Sequence, residues 1–279
     1  MILTDFYYAG KLVSDLGCIV AYNVTSSSTS ISMGSEMEFD TVTNQITWET
    51  DNLKANYKTP VTATFDIFKY SCEKKVQTFT DIECSHIMQW LNQKKVSEFI
   101  PIYDDNNFDS IFFMGTFTNI KQINIAGDCV GFTVTFTSTA PWGFEGDRTQ
   151  EYALTSGGGS FTIINDSDET GFLFPKLFTI KIKEAGDFIM QNTLDNRNVV
   201  IKNCTEGEII SFNCKRQLIT SNYYQIGINE VHSSIMNDFN YNFPRLVNTL
   251  EDYVNIFSVN LSCEISITYN PVRKVGILV

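Results

Sequence analysis

The segment Phe132–Thr139, with the sequence FTVTFTST, alternates strictly between apolar and hydroxyl-bearing side chains. A period of two residues puts Phe132, Val134 and Phe136 on one face of an extended strand and the hydroxyl groups on the other. Such a strand has one buried face and one solvated face, so it must belong to a sheet that packs on a core. This alternation predicts a protein built mainly from β-sheet.

The same pattern recurs along the chain. Thr62–Ser71 and Cys263–Tyr269 repeat it, and Asn198–Lys202 and Glu208–Cys214 are predicted to be further strands. Leu177–Gln191 is predicted to be a β-hairpin that turns at the sequence EAGD. The 22 phenylalanines and 12 tyrosines agree with this reading, because aromatic side chains are enriched in strands.

One amphipathic helix is predicted after Thr80. Thr80 is a good N-cap, and Glu83, three residues later, completes a capping box. The apolar face of this helix is formed by Ile82, Ile87, Met88, Trp90 and Leu91. The helix is expected to end near Asn92–Lys95, and a second short helix is predicted at Asn229–Asn237.

The acidic balance of the chain excludes several classes of partner. Its 20 Lys and Arg residues and 32 Asp and Glu residues give a formal net charge of −12. Nucleic-acid binding requires a basic face that displaces counterions, and the chain has no run of Lys and Arg. No apolar run reaches the roughly 18 residues that a membrane helix needs. We therefore expect no direct nucleic-acid binding and no membrane insertion.

The seven cysteines are scattered, without a CxxC pair, and several lie in alternating apolar runs. Cysteine in such runs behaves as a small apolar residue. The pattern favours reduced thiols in a protein made in a cytosol. A zinc site formed by Cys72, Cys84 and His86 is the alternative, although its spacing fits no compact ligand pattern.

A domain boundary is predicted after Pro141-Trp142-Gly143, where the alternation stops and a polar, charged stretch begins. It gives an N-terminal domain of residues 1–143 and a C-terminal domain of residues 144–279. The glycine-rich segment Gly157–Ser160 is interpreted either as the linker between the domains or as a loop of the second domain. We prefer the second interpretation. Trp142 is either a packing residue or an interface anchor, whereas Trp90 is expected to hold the helix on a sheet.

Residues that could carry catalysis are few. The two histidines, His86 and His232, lie in no nucleophile elbow and no metalloprotease helix. Asp104-Asp105 is interpreted as a solvated loop, because neighbouring side chains in a loop diverge. Asn165–Gly171 resembles the start of a calcium loop, but Leu177 stands where an EF-hand has its twelfth-position Glu. We therefore predict no catalytic, cofactor-binding or metal-binding residue.

Several segments, taken in order, are similar to those of one known family. In the first half they are the helix ending in Trp90-Leu91, then IFFMGTF at Ile111–Phe117, GFTVTF at Gly131–Phe136 and APWG at Ala140–Gly143. The second half contributes three further segments: FPKLFTI at Phe174–Ile180, NYNFPRL at Asn240–Leu246, and Ile265–Gly276. In order and spacing the chain resembles siphophage distal tail proteins over nearly its whole length.

The resemblance implies a fold. It implies an N-terminal β-barrel-like domain with one helix and a C-terminal galectin-like β-sandwich. The last strand packs either on its own domain or back on the first. Phe243 and Arg245, within NYNFPRL, join Trp90 and Trp142 as candidate interface or structural anchors.

The resemblance also implies a role at the distal end of the virion tail, after assembly in the host cytoplasm. A homo-hexameric ring would continue the tail tube and join it to the tail tip and adsorption apparatus. The partners implied are the tail tube protein, the tape measure protein, a tail-tip hub or fibre protein, and receptor-binding proteins.

A structural tail subunit without enzymatic activity is the function that we predict. The alternative is a carbohydrate-binding tail protein whose C-terminal sandwich binds a host cell-surface saccharide. An exposed aromatic platform with polar neighbours near Gly227–Asn237 would favour that alternative. A tail-associated hydrolase would need a Ser-His-Asp cluster or a carboxylate pair in a cleft.

Overall fold

The computed structural model describes residues 3–21, 36–43, 50–57, 60–70, 76–104, 111–223, 235–249 and 251–277. The chain forms two compact units, Met1–Glu145 together with Arg273–Val279, and Gly146–Val272. Each unit has its own apolar core. The first unit ends two residues after Gly143 and also includes the last seven residues of the chain.

The first unit contains one large sheet with a separate hairpin. Its strands are β1 Leu3–Tyr8, β2 Lys11–Leu12, β3 Cys18–Ala21, β4 Met37–Thr43, β5 Thr50–Tyr57, β6 Thr62–Tyr70, β7 Val76–Gln77, β8 Ser97–Tyr103, β9 Ile111–Ile125, β10 Asp128–Ser138, β11 Gly143–Glu145 and, near the chain end, β23 Val272–Arg273. The main path of the ten-stranded sheet runs β2-β1-β8-β9-β10-β6-β3, and β4 pairs only with β5 among the described residues. The predicted strand Thr62–Ser71 is β6, and Phe132–Thr139 lies almost wholly in β10.

The large sheet curls into a half-barrel. Phe6 on β1 and Phe65 on β6 lie four strands apart along the sheet, yet their ring centroids are 5.3 Å apart. In a flat sheet that separation would be roughly 19 Å. Phe99 and Phe136 stack in the same core, with centroids 4.4 Å apart. The barrel-like first domain and the mainly β class are therefore confirmed.

The predicted helix is confirmed as α1, Asp81–Leu91, with Thr80 as N-cap and the capping box to Glu83 formed. Cys84, Ile87, Trp90 and Leu91 are its buried residues. The assignment of Ile82 to the apolar face is wrong, because its side chain is 69% exposed. At about 100° per residue, Ile82 lies roughly 200° around the helix from Cys84, on the solvent side.

The second unit is a two-layer β-sandwich. Its strands are β12 Arg148–Leu154, β13 Gly159–Ile164, β14 Gly171–Leu173, β15 Leu177–Ile182, β16 Gly186–Asn192, β17 Arg197–Cys204, β18 Ile209–Asn213, β19 Leu218–Ser221, β20 Leu246–Asn248, β21 Val254–Val259 and β22 Cys263–Tyr269. One sheet has the order β12-β22-β15-β18-β19, and the other has the order β13-β21-β16-β17. Side chains from both sheets form one core, among them Phe178 and Ile265 from the first and Met190 and Phe257 from the second.

The predicted hairpin at Leu177–Gln191 is wrong, although both of its strands exist. β15 pairs with β18 and β22, whereas β16 pairs with β17 and β21. The connection between Ile182 and Gly186 therefore crosses from one layer of the sandwich to the other. Alternation in each strand fixes which side chains are buried, but it does not select the strand that pairs with it.

Smaller predictions have mixed outcomes. Six cysteines are described and are free thiols, five of them buried; Cys72 lies outside the described residues. Within the predicted second helix, only Ile235–Asn237 is described as helical, a single 3-10 turn, and residues 229–234 lie outside the described part. Among the described residues, no helix is long and apolar enough to cross a membrane.

Candidate assembly surfaces

The β4–β5 hairpin carries two well-exposed apolar side chains. Residues 36–40 are all exposed, and Met37 and Phe39 retain 51% and 55% of their accessible surface. Asn56 Nδ2 donates to Asp40 Oδ2 at 3.0 Å across the two strands. A lone two-stranded ribbon is marginally stable in water, so apolar side chains on it mark a surface suited to a partner.

Trp142 packs against the end of this hairpin. Its ring meets that of Tyr57, the last residue of β5, edge to face, with centroids 5.2 Å apart. Lys274 Nζ lies 5.9 Å from the centroid of the Tyr57 ring. The Trp142 indole nitrogen is buried and finds no acceptor among the described residues. The contact is packing within the first unit, and the interface role of Trp142 stays a prediction.

A second cluster of polar groups surrounds Arg245 in the sandwich. Arg245 Nε donates to Asp195 Oδ2 at 2.8 Å, and the two side chains are 19% and 12% exposed. The Arg245 guanidinium carbon lies 3.6 Å from the centroid of the Phe172 ring. Stacking on an aromatic face and pairing with a carboxylate together fix the plane of this guanidinium.

Arg197 is next to this pair, at the start of β17. It lines a cavity of about 10 Å³ together with Asp195, Phe243 and Arg245. The Arg197 Nε is buried and has no hydrogen-bond partner among the described residues. Burial and then the charge of Arg245 lower the pKa of Arg197, while Asp195 opposes this shift.

The outward face of the five-stranded sheet forms a shallow groove with a volume of about 430 Å³. Ala153, Ile209 and Ile265 are apolar residues of its lining, and Glu151, Lys181 and Glu264 are charged ones. Glu264 pairs with Lys183 at 2.9 Å and with Lys181 at 3.4 Å. Among the described residues, Tyr152 is the one aromatic in the lining, and its hydroxyl lies 2.7 Å from Gln150 Oε1 and 2.6 Å from the Thr162 carbonyl oxygen, so its single hydrogen is already engaged.

The described residues bring together no metal-binding constellation. No group of three or more His, Cys, Asp and Glu side chains is placed to hold a metal ion among them. His86 is exposed on α1, two residues from buried Cys84, and Cys72, Asp105 and His232 lie outside the described part. In the loop that resembled a calcium site, Asp166 is paired with Arg148 at 2.9 Å.

Comparison with known proteins identifies the family. Residues 1–140 match the family described as phage tail protein N-terminal domain, and residues 142–269 match the family described as phage tail C-terminal domain. The chain belongs to this family of phage tail proteins. Its place in the tail of a virion follows from this membership. No curated protein matches the sequence.

The fold of this tail protein is that of a solved tail hub. The Dit (gp 19.1) protein of phage SPP1, described as a paradigm of the hub adsorption apparatus of phages that infect Gram-positive hosts, matches with a TM-score of 0.63 and 11% identity. The match covers 96% of the tail protein and 99% of Dit. A chain of the phage p2 baseplate in its activated conformation with Ca matches with a TM-score of 0.49 and 9% identity, over 96% and 98% of the two chains.

The four predicted anchors of the tail protein lie in different surroundings. Trp90 is 4% exposed and Phe243 is 6% exposed, each within the core of its own unit. Arg245 and Trp142 are both half-buried. Sequence reasoning missed Arg197 and the exposed Met37 and Phe39. The alternation in MEFDTVT could have indicated the hairpin, but nothing local indicates that Arg197 meets Arg245.

Proposed function

We propose that this tail protein is a structural distal tail protein, forming a homo-hexameric ring that continues the tail tube and joins it to the tail tip. The observation that carries the proposal is the fold match to the SPP1 Dit hub, which spans nearly the full length of both chains. Membership of a phage tail family supports the location. The partners proposed are the tail tube, tape measure, hub or fibre and receptor-binding proteins.

In this proposal the two parts of the chain have different roles. The first unit, Met1–Glu145 with Arg273–Val279, forms the ring, and the second unit, Gly146–Val272, forms an outward, galectin-like sandwich that carries or supports adsorption proteins. A closed ring needs two different complementary faces on each subunit, because its contacts are heterologous. The β4–β5 hairpin, with Met37 and Phe39 exposed, is our candidate for one of these faces.

The charge of the chain suits a channel for DNA. A net charge of −12 in each subunit repels nucleic acid if acidic residues line the lumen, so that DNA slides through without sticking. The proposal includes no enzymatic activity. A neutral or basic lumen in the assembled ring would contradict this part of the proposal.

Light scattering on the purified full-length protein tests the ring. A hexamer has about six times the subunit mass of 31.6 kDa, and negative-stain images should show sixfold particles with a central hole. The double variant Met37→Ser, Phe39→Ser is expected to shift the mass towards the monomer. The matched control is Ile82→Ser, which removes an exposed apolar side chain from α1 and is expected to leave the ring intact.

Two results would contradict the ring or the assignment of its interface to β4–β5. A wild-type protein that stays monomeric at all concentrations, both alone and when mixed with purified tail tube protein, contradicts a ring-forming role. Disruption of the ring by Ile82→Ser but not by the hairpin variant would move the interface away from β4–β5. Circular dichroism of each variant shows whether its subunit remains folded.

Saccharide binding by the sandwich is a second candidate. The groove of about 430 Å³ on the five-stranded sheet, with Glu151, Lys181 and Glu264 as hydrogen-bonding groups, is the observation that favours it. Against it, the one lining aromatic, Tyr152, has its hydroxyl engaged within the protein. A glycan array probed with wild type and with Glu151→Gln tests saccharide binding. A saccharide that is held in the groove should bind the variant more weakly than the wild type.

A further inference from the structure

The backbone of Tyr241, in the segment between the 3-10 turn Ile235–Asn237 and β20, is in the left-handed region, with a φ of 60°. This region brings a β-carbon close to the following carbonyl oxygen, so glycine and asparagine are the residues that adopt it readily. Among the described residues, Tyr241 is the one aromatic residue with a positive φ. A bulky side chain in such a strained conformation indicates a function, because the strain persists only where the surroundings fix the backbone.

Two asparagine side chains fix this turn on the edge of β17. Asn240 Nδ2 and Asn242 Nδ2 both donate to the Asn198 carbonyl oxygen, at 2.9 and 2.8 Å. Asn240 Oδ1 accepts from the backbone N–H groups of Val200 and Asn242, at 3.1 and 3.2 Å. These hydrogen bonds stabilise the turn without using any atom of the Tyr241 side chain. The aromatic ring is therefore free to act on something outside the turn.

The Tyr241 ring is presented to solvent. The residue is 59% exposed, and its ring centroid lies 5.9 Å from that of Phe239, which is buried in the sandwich core. The two ring planes are inclined by 38°, so Phe239 supports one side of the Tyr241 ring while the other side stays open. A ring that is supported in this way is a rigid platform on which an apolar surface can stack.

Neutral polar groups accompany this platform. Asn198 is exposed, and its side-chain amide forms no hydrogen bond within the described part of the chain. Asn242 is half-buried, and its Oδ1 accepts none from the described residues. An amide offers one acceptor oxygen and two donor hydrogens. Because these amides carry no charge, they suit the hydroxyl groups of a ligand better than they suit an ion.

We propose that Tyr241, together with Asn198 and Asn242, binds a pyranose ring of a neutral saccharide. A pyranose combines a flat C–H face, which stacks on the Tyr241 ring, with hydroxyl groups at its rim, which bind the amides. Asn198 belongs to β17 in the four-stranded sheet, so this site is distinct from the groove on the five-stranded sheet. Saccharide binding is the second candidate of the proposed function; the site at Tyr241 gives it a different place and does not depend on the ring.

The test is a glycan array probed with the full-length protein, followed by calorimetric titration of the glycan that binds most strongly. Tyr241→Asn is expected to weaken binding about tenfold, since the stacking surface is lost. Asn198→Ala removes one amide but keeps the backbone carbonyl, and a loss of about threefold or more is expected. The matched control is Tyr253→Asn, which removes a tyrosine that is 44% exposed and has an ordinary φ, with a change below about twofold.

Stability distinguishes a binding role of Tyr241 from a packing role. Asparagine accepts a positive φ, so relief of strain offsets the lost contact with Phe239. The melting temperature of Tyr241→Asn is therefore expected to stay within about 2 °C of the wild type or to rise. A melting temperature lowered by several degrees would make Tyr241 a structural residue and overturn the proposal.

Four further outcomes overturn it. These are a wild type that binds no glycan of the array, unchanged binding in Tyr241→Asn, an equal loss in Tyr253→Asn, and loss in Glu151→Gln alone, which places the saccharide in the groove. A wild type that binds no glycan but binds purified tail tube protein through Tyr241 would make the occupant a protein. The light-scattering mass is measured in parallel. A hexamer that binds no glycan refutes this site alone, and a monomer that binds one refutes the ring alone.

Discussion

Trp90 Nε1 donates a hydrogen bond of 2.8 Å to the backbone carbonyl oxygen of Tyr8. The two residues are 82 positions apart, and both are buried. This bond ties α1 to the strand β1, while the Trp90 ring stacks on Phe6 with centroids 5.7 Å apart. Trp142 differs in this respect, since its own indole N–H finds no acceptor among the described residues.

This difference predicts unequal effects for two matched variants. Trp90→Phe leaves the Tyr8 carbonyl without its indole donor and is expected to lower the free energy of unfolding by about 1–3 kcal/mol. Trp142→Phe removes an N–H that has no partner, and a change within about 0.5 kcal/mol is expected. Urea unfolding followed by far-ultraviolet circular dichroism measures both, at one protein concentration. Equal losses would show that the indole bond to Tyr8 contributes nothing.

The capping box of α1 predicts a pH dependence of stability. A hydrogen bond from Lys69, followed by one from the Thr80 backbone, lowers the pKa of Glu83 from 4.5 to about 2. A lowered carboxyl pKa stabilises the fold fully above pH 4.5, and the stabilisation is lost as the pH falls towards 2. Because the Glu83 side chain is 40% exposed, screening limits the effect to about 0.5 kcal/mol.

The measurement compares urea unfolding of wild type and Glu83→Gln at pH 6 and pH 3. The two proteins should differ at pH 6, and the difference should be smaller at pH 3, because the stabilisation is lost as the pH falls from 4.5 towards 2. A difference that is the same at both values would attribute the effect of the variant to packing and not to the Glu83 charge.

Two adjacent glycines in the sandwich predict a steric contrast. Gly157 and Gly158 have φ values of +84° and +86°, so alanine is strained by a similar amount at both positions. A Cβ on Gly157 meets nothing within 4 Å, whereas one on Gly158 would lie 2.0 Å from the Val259 carbonyl oxygen. Gly157→Ala is expected to lower the free energy of unfolding by about 1 kcal/mol, and Gly158→Ala by at least about 2 kcal/mol more.

Thermal and urea unfolding of both variants check this contrast. Equal destabilisation would mean that β13 does not lie against β21 as described, since the close approach to Val259 is what separates the two positions.

The buried thiols predict selective resistance to alkylation. Burial raises the pKa of Cys204 and Cys214 to about 12 and that of Cys263 to about 11. At pH 8 the thiolate fraction of Cys214 is then about 10⁻⁴, and access of a reagent is also blocked. Maleimide labelling with peptide mass spectrometry should leave these three unmodified in the native protein and modify them in urea. Rapid labelling of Cys214 in the native protein would contradict its burial in the core of the sandwich.

Local features of this protein could be predicted because their causes are local. The alternation in Phe132–Thr139 and Cys263–Tyr269 decided which side chains are buried, since a strand has a fixed period of two residues. The helix start at Thr80 followed from a hydrogen bond that spans three residues. Ile82 was misplaced because apolar composition alone does not say which face of a helix meets the core.

What the sequence by itself determined is therefore the mainly β class, the faces of its strands and the one capped helix. The tertiary structure alone decided that β15 and β16 enter different sheets, since turn residues such as EAGD serve a crossover as well as a hairpin. It also decided that Arg197 meets Arg245, across 48 residues of chain. Such contacts depend on long-range strand pairing. The free energy of that pairing comes from the whole sandwich and cannot be inferred from any short segment.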